Sequence, residues 1–176
     1  ATMNAAAGDN TTEYLYGCLE QGDYAPVIAR LQLQLQNFPR SRAALSLLGY
    51  SYYMLQDFSN AVRMYEQLLQ VCPDVQEYRI YYAQSLYKAG AYPEATRAAF
   101  RCDDPQQGQR VAMLQAAVKY EQEDLRGCVA LADQCLPDDP NTIVCHGCVL
   151  YKEKKYEEAR QKFTDAINTL GYQPDL

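Results

Sequence analysis

The sequence contains no tryptophan, a single histidine and no long hydrophobic run. A membrane-spanning helix needs about 20 consecutive apolar residues, so no membrane insertion is expected. The first ten residues lack both the basic and the apolar region of a secretory signal. Acidic residues outnumber basic ones by 22 to 16, for a net charge of −6. Because nucleic-acid surfaces require clustered Lys and Arg, this balance argues against nucleic-acid binding.

What the chain contains instead is an internal repeat. An aromatic residue or leucine returns about every 34 residues, and a small or slim residue follows it three positions later. The recurring large residues are Tyr24, Phe58, Tyr92, Leu125 and Tyr156. A repeat of this length is typical of the tetratricopeptide repeat (TPR), a helix-turn-helix unit. We therefore predict an all-α TPR α-solenoid, a right-handed superhelix of antiparallel helix pairs.

About five repeats are predicted, of which the second is the best defined. Its first helix carries Leu45, Leu48 and Gly49 at helical spacing, and Pro73 ends its second helix. The predicted repeats are residues 8–41, 42–75, 76–108, 109–139 and 140–173. Residues 1–7 are expected to be a disordered or non-native start. The array from 8 to 176 is expected to continue beyond the chain end, because the final GYQPDL resembles the opening of another repeat.

Candidate catalytic and metal-binding residues are few. A catalytic triad could only be built on His146, which falls at a repeat position that is normally packed. Cys145 and Cys148 supply two thiolates, or three ligands with His146, whereas structural zinc takes four. The seven cysteines have no disulfide spacing pattern, which favours a reducing compartment. No catalytic site, metal site or cofactor is predicted.

Several segments resemble one TPR family more closely than TPRs in general. They are PRSRAALSLLGYSYYMLQ (39–56), YEQLLQ (65–70), LYKAGAYPEATRAAF (86–100), LQAAVKY (114–120), LYKEKKYEEA (150–159) and GYQPDL (171–176). These segments are similar to the amino-terminal repeats of the fleer family, the TPR subunit of the intraflagellar transport B complex. The similarity extends over nearly the whole chain from about Tyr14.

The resemblance implies a non-enzymatic scaffold that is needed to assemble cilia and flagella. In that family the repeats close around an extended, proline-rich stretch of a partner subunit. The implied partners are other subunits of the B complex, with a kinesin motor or tubulin cargo engaged indirectly. The implied location is the cytoplasm and the cilium or flagellum, including the axoneme and basal body.

The binding surface is expected on the face of each first helix that points away from its own second helix. At one position of this face tyrosine occurs in four consecutive repeats, and this tyrosine ladder consists of Tyr53, Tyr87, Tyr120 and Tyr151. Such a ladder suits an extended or polyproline II peptide. The alternative is that these tyrosines pack between neighbouring first helices. The predicted groove residues are Tyr16, Tyr50, Tyr53, Ile80, Gln84, Tyr87, Met113, Tyr120, Val144 and Tyr151.

Two other functions are compatible with a TPR array. The first is a cytosolic co-chaperone or cargo adaptor, but a co-chaperone clamp for carboxylates needs several groove Lys and Arg, and only Lys88 fits that pattern. The second is a regulatory TPR arm of a larger enzyme whose catalytic domain lies outside this sequence.

Overall fold

The computed structural model describes residues 3–171, with side chains described from residue 12 onward. Within this range the secondary structure consists of ten α-helices and one short 3-10 helix, without strands. The α-helices are α1 Met3–Glu20, α2 Tyr24–Asn37, α3 Arg42–Met54, α4 Phe58–Val71, α5 Gln76–Lys88, α6 Tyr92–Phe100, α7 Gly108–Glu121, α8 Leu125–Ala132, α9 Pro140–Lys152 and α10 Tyr156–Leu170. The prediction of an all-α fold is confirmed.

In sequence order, two successive α-helices fall in each predicted repeat, apart from the first residues of α1. The 3-10 helix Pro105–Gln107 precedes α7, where Asp104 accepts a hydrogen bond from the Gln106 N–H and proline opens the turn. The first helix begins at Met3, so residues 3–7, expected to lie outside the array, are helical. Residues 172–176, which include most of the GYQPDL segment, lie outside the described range.

Contacts divide the chain into two compact units, Ala1–Gly90 and Ala91–Leu176, whereas the sequence predicted one undivided array. The boundary falls in the turn between α5 and α6. In the first unit, Leu15, Leu31 and Leu48 belong to one buried cluster contributed by the first four helices. A second cluster contains Leu68 of α4 and Tyr78 of α5. In the second unit the buried cluster consists of Ala116, Cys128 and Val149.

The small residue three positions after each recurring large residue is buried in every repeat. Each has a solvent exposure of 0 % or 1 %: Val27, Ala61, Ala95, Cys128 and Ala159. Close packing at these positions leaves no room for a larger side chain. The five residues therefore share one structural role, because each lies on the second helix of its repeat and lets that helix pack closely against its neighbours.

A left-handed backbone residue recurs in the turn between the two helices of each repeat. The residues are Gly22, Gln56, Gly90, Glu123 and Lys154, with φ between 61° and 78°. Their sequence spacing follows the repeat, so the turn geometry is conserved along the chain. Because three of the five are not glycine, this turn tolerates the strain of a side chain in the left-handed region.

Gly90→Ala is expected to lower the free energy of unfolding by about 1 kcal/mol. Nothing lies within 4 Å of a Cβ added at Gly90, so the expected cost comes from its φ of 78° alone. Gly108→Ala is the matched control, because Gly108 has a helical φ of −54° and a Cβ added there would likewise have no atom within 4 Å. Urea unfolding should show a loss for Gly90→Ala and no loss for Gly108→Ala. Equal effects would contradict the strain argument.

Candidate peptide-binding surface

The first unit contains an open, mainly apolar cavity of about 380 Å³ between α3, α4 and α5. Three of the predicted groove residues, Tyr50, Tyr53 and Gln84, line it together. They come from two successive predicted repeats. The other lining residues are Ser46, Leu47, Met54, Tyr65 and Tyr81. A side chain of a bound peptide would meet aromatic and aliphatic walls here, with one serine hydroxyl, four tyrosine hydroxyls and one amide as the polar groups of the lining.

Glycine at position 49 allows Tyr65 to form one wall of this cavity. A Cβ on Gly49 would lie 2.8 Å from the Tyr65 ring, so α3 and α4 approach each other closely at this point. The Tyr65 ring then stands 5.7 Å from that of Tyr81, centroid to centroid. Burial raises the pKa of Tyr65 and of Tyr53 above the usual value. Both phenols are therefore neutral at physiological pH and can donate hydrogen bonds.

The tyrosines of the cavity also pack against residues of their own unit. Tyr53 makes an edge-to-face contact with Phe58, the first residue of α4, at a centroid distance of 5.4 Å. Tyr50 makes a similar contact with Tyr24 at 6.0 Å. Tyr50 is nevertheless 43 % exposed, and the neighbouring Met54 is 45 % exposed. The exposed parts of these two side chains are therefore the most accessible apolar surface of the cavity.

The remaining predicted residues of the first unit, Tyr16, Ile80 and Tyr87, differ in how far their side chains are exposed. Tyr16 is exposed but lines a separate, smaller cavity of about 160 Å³ between α1, α2 and α3. Ile80 is fully buried, so a ligand could not reach it without displacing its neighbours. Tyr87 is half-buried, and the Lys88 ammonium lies 5.9 Å from its ring centroid.

In the second unit, Tyr120 connects two neighbouring first helices. Its hydroxyl donates to the backbone carbonyl of Cys148 over 3.5 Å, and the Lys152 ammonium lies 3.9 Å from its ring centroid. Lys152 also donates to the Tyr120 carbonyl over 2.9 Å. These contacts join α7 to α9. Tyr120 therefore packs between neighbouring first helices, which was the alternative to a role in peptide binding for the ladder tyrosines.

The other three predicted residues of the second unit are partly or largely accessible. Tyr151 is 59 % exposed and stacks edge-to-face on Tyr156, with 5.3 Å between centroids. Tyr53 contacts Phe58 in the same way, so in both repeats a ladder tyrosine packs against the first residue of the following helix. Val144 is 39 % exposed. Met113 is half-buried, and its sulfur accepts a hydrogen bond from the Thr142 hydroxyl over 3.9 Å.

Five lining residues are absent from the predicted groove: Ser46, Leu47 and Met54 of α3, and the two tyrosines Tyr65 and Tyr81. The repeat places both at positions that face other helices, and only the missing side chain of Gly49 could have indicated that the Tyr65 ring reaches the cavity. None of the residues lining the cavity is basic. Such a surface offers no cation for a carboxylate clamp.

His146 and the two cysteines considered as metal ligands, Cys145 and Cys148, all lie on α9. Across residues 3–171, no group of three or more His, Cys, Asp or Glu side chains could hold a metal ion. His146 lies 3.4 Å from the Asp133 carboxylate, with its side chain 25 % exposed. A search of the described helices found none with both the length and the apolar character needed to cross a bilayer.

A family profile described as "Intraflagellar transport protein 56" matches residues 45–169, well over half of the chain. The chain belongs to this family of intraflagellar transport proteins. It is 48 % identical over 165 residues to Intraflagellar transport protein 70A of Xenopus laevis, and 48 % identical over 165 residues to that of Danio rerio. Both matches cover 94 % of this chain but 25 % of the relative. The chain thus spans about a quarter of the length of the curated relatives it matches.

Membership of an intraflagellar transport family confirms the resemblance found in the sequence. The names in this family describe intraflagellar transport proteins. Solved structures provide a separate comparison for the fold. The crystal structure of PilW, a type IV pilus biogenesis factor, superimposes with a TM-score of 0.75 at 16 % identity, covering 95 % of this chain and 79 % of that one. The crystal structure of YrrB, described as a TPR protein, superimposes with a TM-score of 0.64 at 14 % identity, covering 99 % of this chain and 94 % of that one. The TPR α-solenoid class is therefore confirmed.

Proposed function

We propose that this chain is the peptide-binding TPR part of an intraflagellar transport scaffold, which binds an extended, proline-containing segment of another transport subunit. The observation that carries the proposal is the cavity of about 380 Å³, in which predicted groove residues of two successive repeats meet. Family membership supports the transport role and the location in the cytoplasm and cilium. Kinesin motors and tubulin cargo would be reached through the other subunits.

The chemistry of the cavity favours a proline-containing segment over a charged tail. Tyrosine rings pack well on the flat, rigid ring of proline, and a polyproline II segment loses little conformational entropy on binding. The Gln84 amide and the Ser46 hydroxyl supply hydrogen-bonding groups for the unpaired carbonyls of such a segment. A co-chaperone clamp would instead require Lys or Arg in the lining, and the lining has neither.

The proposal predicts that Tyr50→Ala with Met54→Ala weakens binding of a labelled proline-rich peptide at least tenfold, because exposed aromatic anchors account for most binding energy in such sites. Both side chains are more than two-fifths exposed, so the double variant should remain folded. Fluorescence anisotropy gives the dissociation constant, and circular dichroism checks the helical content.

The matched control is Tyr14→Ala with Leu136→Ala, because these residues are also exposed, at 55 % and 65 %, but do not line the cavity. The control should bind as the parent chain does. A second peptide with every proline changed to alanine should bind more weakly to the parent. Equal binding of both peptides, or an unaffected cavity variant, would refute the groove assignment.

Affinity capture from ciliated-cell extract tests the transport role separately. The parent chain is expected to recover intraflagellar transport subunits, and the cavity variant is expected to lose them. Recovery of chaperones through the same cavity would favour the co-chaperone alternative.

A further inference from the structure

Two cysteines of the second unit, Cys128 on α8 and Cys145 on α9, lie with their sulfur atoms 3.5 Å apart. Cys128 is fully buried, and Cys145 is half-buried, so the pair is reached from the Cys145 side. All seven cysteines of the chain are reduced in the structure. The pair belongs neither to the cavity of the first unit nor to the tyrosine ladder.

We infer that Cys128 and Cys145 form an oxidation site, at which a hydroperoxide converts the two thiols into a disulfide that joins α8 to α9. The inference does not depend on the proposed function. In a reducing compartment such a bond would be transient, because glutathione and thioredoxin systems return exposed or strained disulfides to thiols.

The chemistry uses two steps and one equivalent of hydrogen peroxide. A thiolate of the pair attacks one peroxide oxygen and the O–O bond breaks, which produces a sulfenic acid and a hydroxide. The hydroxide takes up the proton that the thiol released and becomes water. The second sulfur then attacks the sulfenyl sulfur, so that an S–S bond forms and the S–O bond breaks to release a second water. The two cysteines lose two electrons in total, and the peroxide is reduced. A sulfur 3.5 Å away makes the second step fast.

The neighbouring cysteines are less suited to the reaction. The Cys135 thiol points to the backbone carbonyls of Gln109 and Leu131, at 3.9 and 3.7 Å. Burial raises the pKa of Cys135 and of Cys148, which lowers their thiolate fraction. Within the pair, the hydrogen bond between the two sulfurs lowers the pKa of Cys128 and raises that of Cys145, so Cys128 supplies the attacking thiolate.

A disulfide here would close a loop between residues 17 apart and join the last helix of the fourth predicted repeat to the first helix of the fifth. Restricting the unfolded chain in this way stabilises the folded unit. Peroxide treatment is therefore expected to raise the melting temperature by about 5–10 °C, and a thiol reductant should reverse the increase.

The sequence around the pair allows direct identification of the bond. All four cysteines between Arg126 and Lys152 fall in one tryptic peptide, so trypsin cannot resolve them. Cleavage on the amino side of aspartate separates 124–132, which holds Cys128, from 133–137 and from 139–164, which hold the others. After peroxide treatment and alkylation of free thiols, mass spectrometry should find 124–132 linked to 139–164. The same link in Cys148→Ala would assign it to Cys145.

Alanine variants provide the controls. Cys128→Ala should fold, because alanine occupies the same repeat position at Ala61, Ala95 and Ala159. This variant should lose both the linked peptide and the increase in melting temperature, while Cys135→Ala should keep both. Sulfinic or sulfonic acid without a link, a link through Cys135, or an increase that persists in Cys128→Ala would overturn the inference.

Discussion

Leu48→Ala is expected to lower the free energy of unfolding by about 2–5 kcal/mol. Leu48 is fully buried on α3 and belongs to the cluster that also contains Leu31 of α2 and Ala61 of α4. Removing three side-chain carbons there leaves a cavity that three different helices would have to close. Rigid helices cannot collapse fully into such a space, so the loss includes both transfer energy and unfilled volume. Urea unfolding followed by far-ultraviolet circular dichroism measures the change.

Leu55→Ala is the matched control for this substitution. Leu55 lies seven positions after Leu48, immediately after the end of α3, and its side chain is 49 % exposed. The same chemical change at this exposed position should alter stability by no more than about 0.5 kcal/mol. Similar losses for the two variants would mean that the cluster around Leu48 is not the core of the first unit.

Gly49→Ala and Gly147→Ala are each expected to destabilise their own unit by about 1–3 kcal/mol, although alanine is the better helix former. An added Cβ would lie 2.8 Å from the Tyr65 ring in the first case and 2.7 Å from the Phe163 ring in the second. Both distances are shorter than carbon atoms tolerate, so an aromatic ring or a helix has to move. Thermal and urea unfolding of the two variants measure the cost.

Gly17→Ala separates steric overlap from helix propensity. Gly17 also lies inside a helix, but a Cβ there would meet nothing within 4 Å. This variant should therefore be more stable than the parent by about 0.5–1 kcal/mol. A destabilised Gly17→Ala, or a stabilised Gly49→Ala, would show that helix contact does not explain the two glycines.

The helical pairs could be predicted from the sequence with few errors because each repeat carries its own local signals. Large residues such as Tyr24 and Phe58 open the second helix of their repeats, as the structure shows. The division into two compact units was not predicted, since it depends on the contacts between helices. Residues 1–7 were expected to be a disordered or non-native start outside the array, whereas residues 3–7 belong to α1.

The candidate surface was only partly predictable. Three residues that period and spacing assign to the groove, Tyr50, Tyr53 and Gln84, line one cavity. The same rule included Ile80, which is buried, and omitted Tyr65, which reaches the cavity from the second helix of its repeat. A repeat position specifies the direction of a side chain from its own helix axis, whereas its exposure depends on the neighbouring helices.

The sequence by itself determined the repeat class, the helical pairing and the positions of the small residues, since each of these depends on residues within about one repeat. Only the tertiary structure decided which ladder tyrosines are accessible, as Tyr151 is, and which join two helices, as Tyr120 does. It also decided that Cys128 and Cys145 are in contact. Such properties arise from distances between atoms on different helices, and helical periodicity within one segment carries no information about those distances.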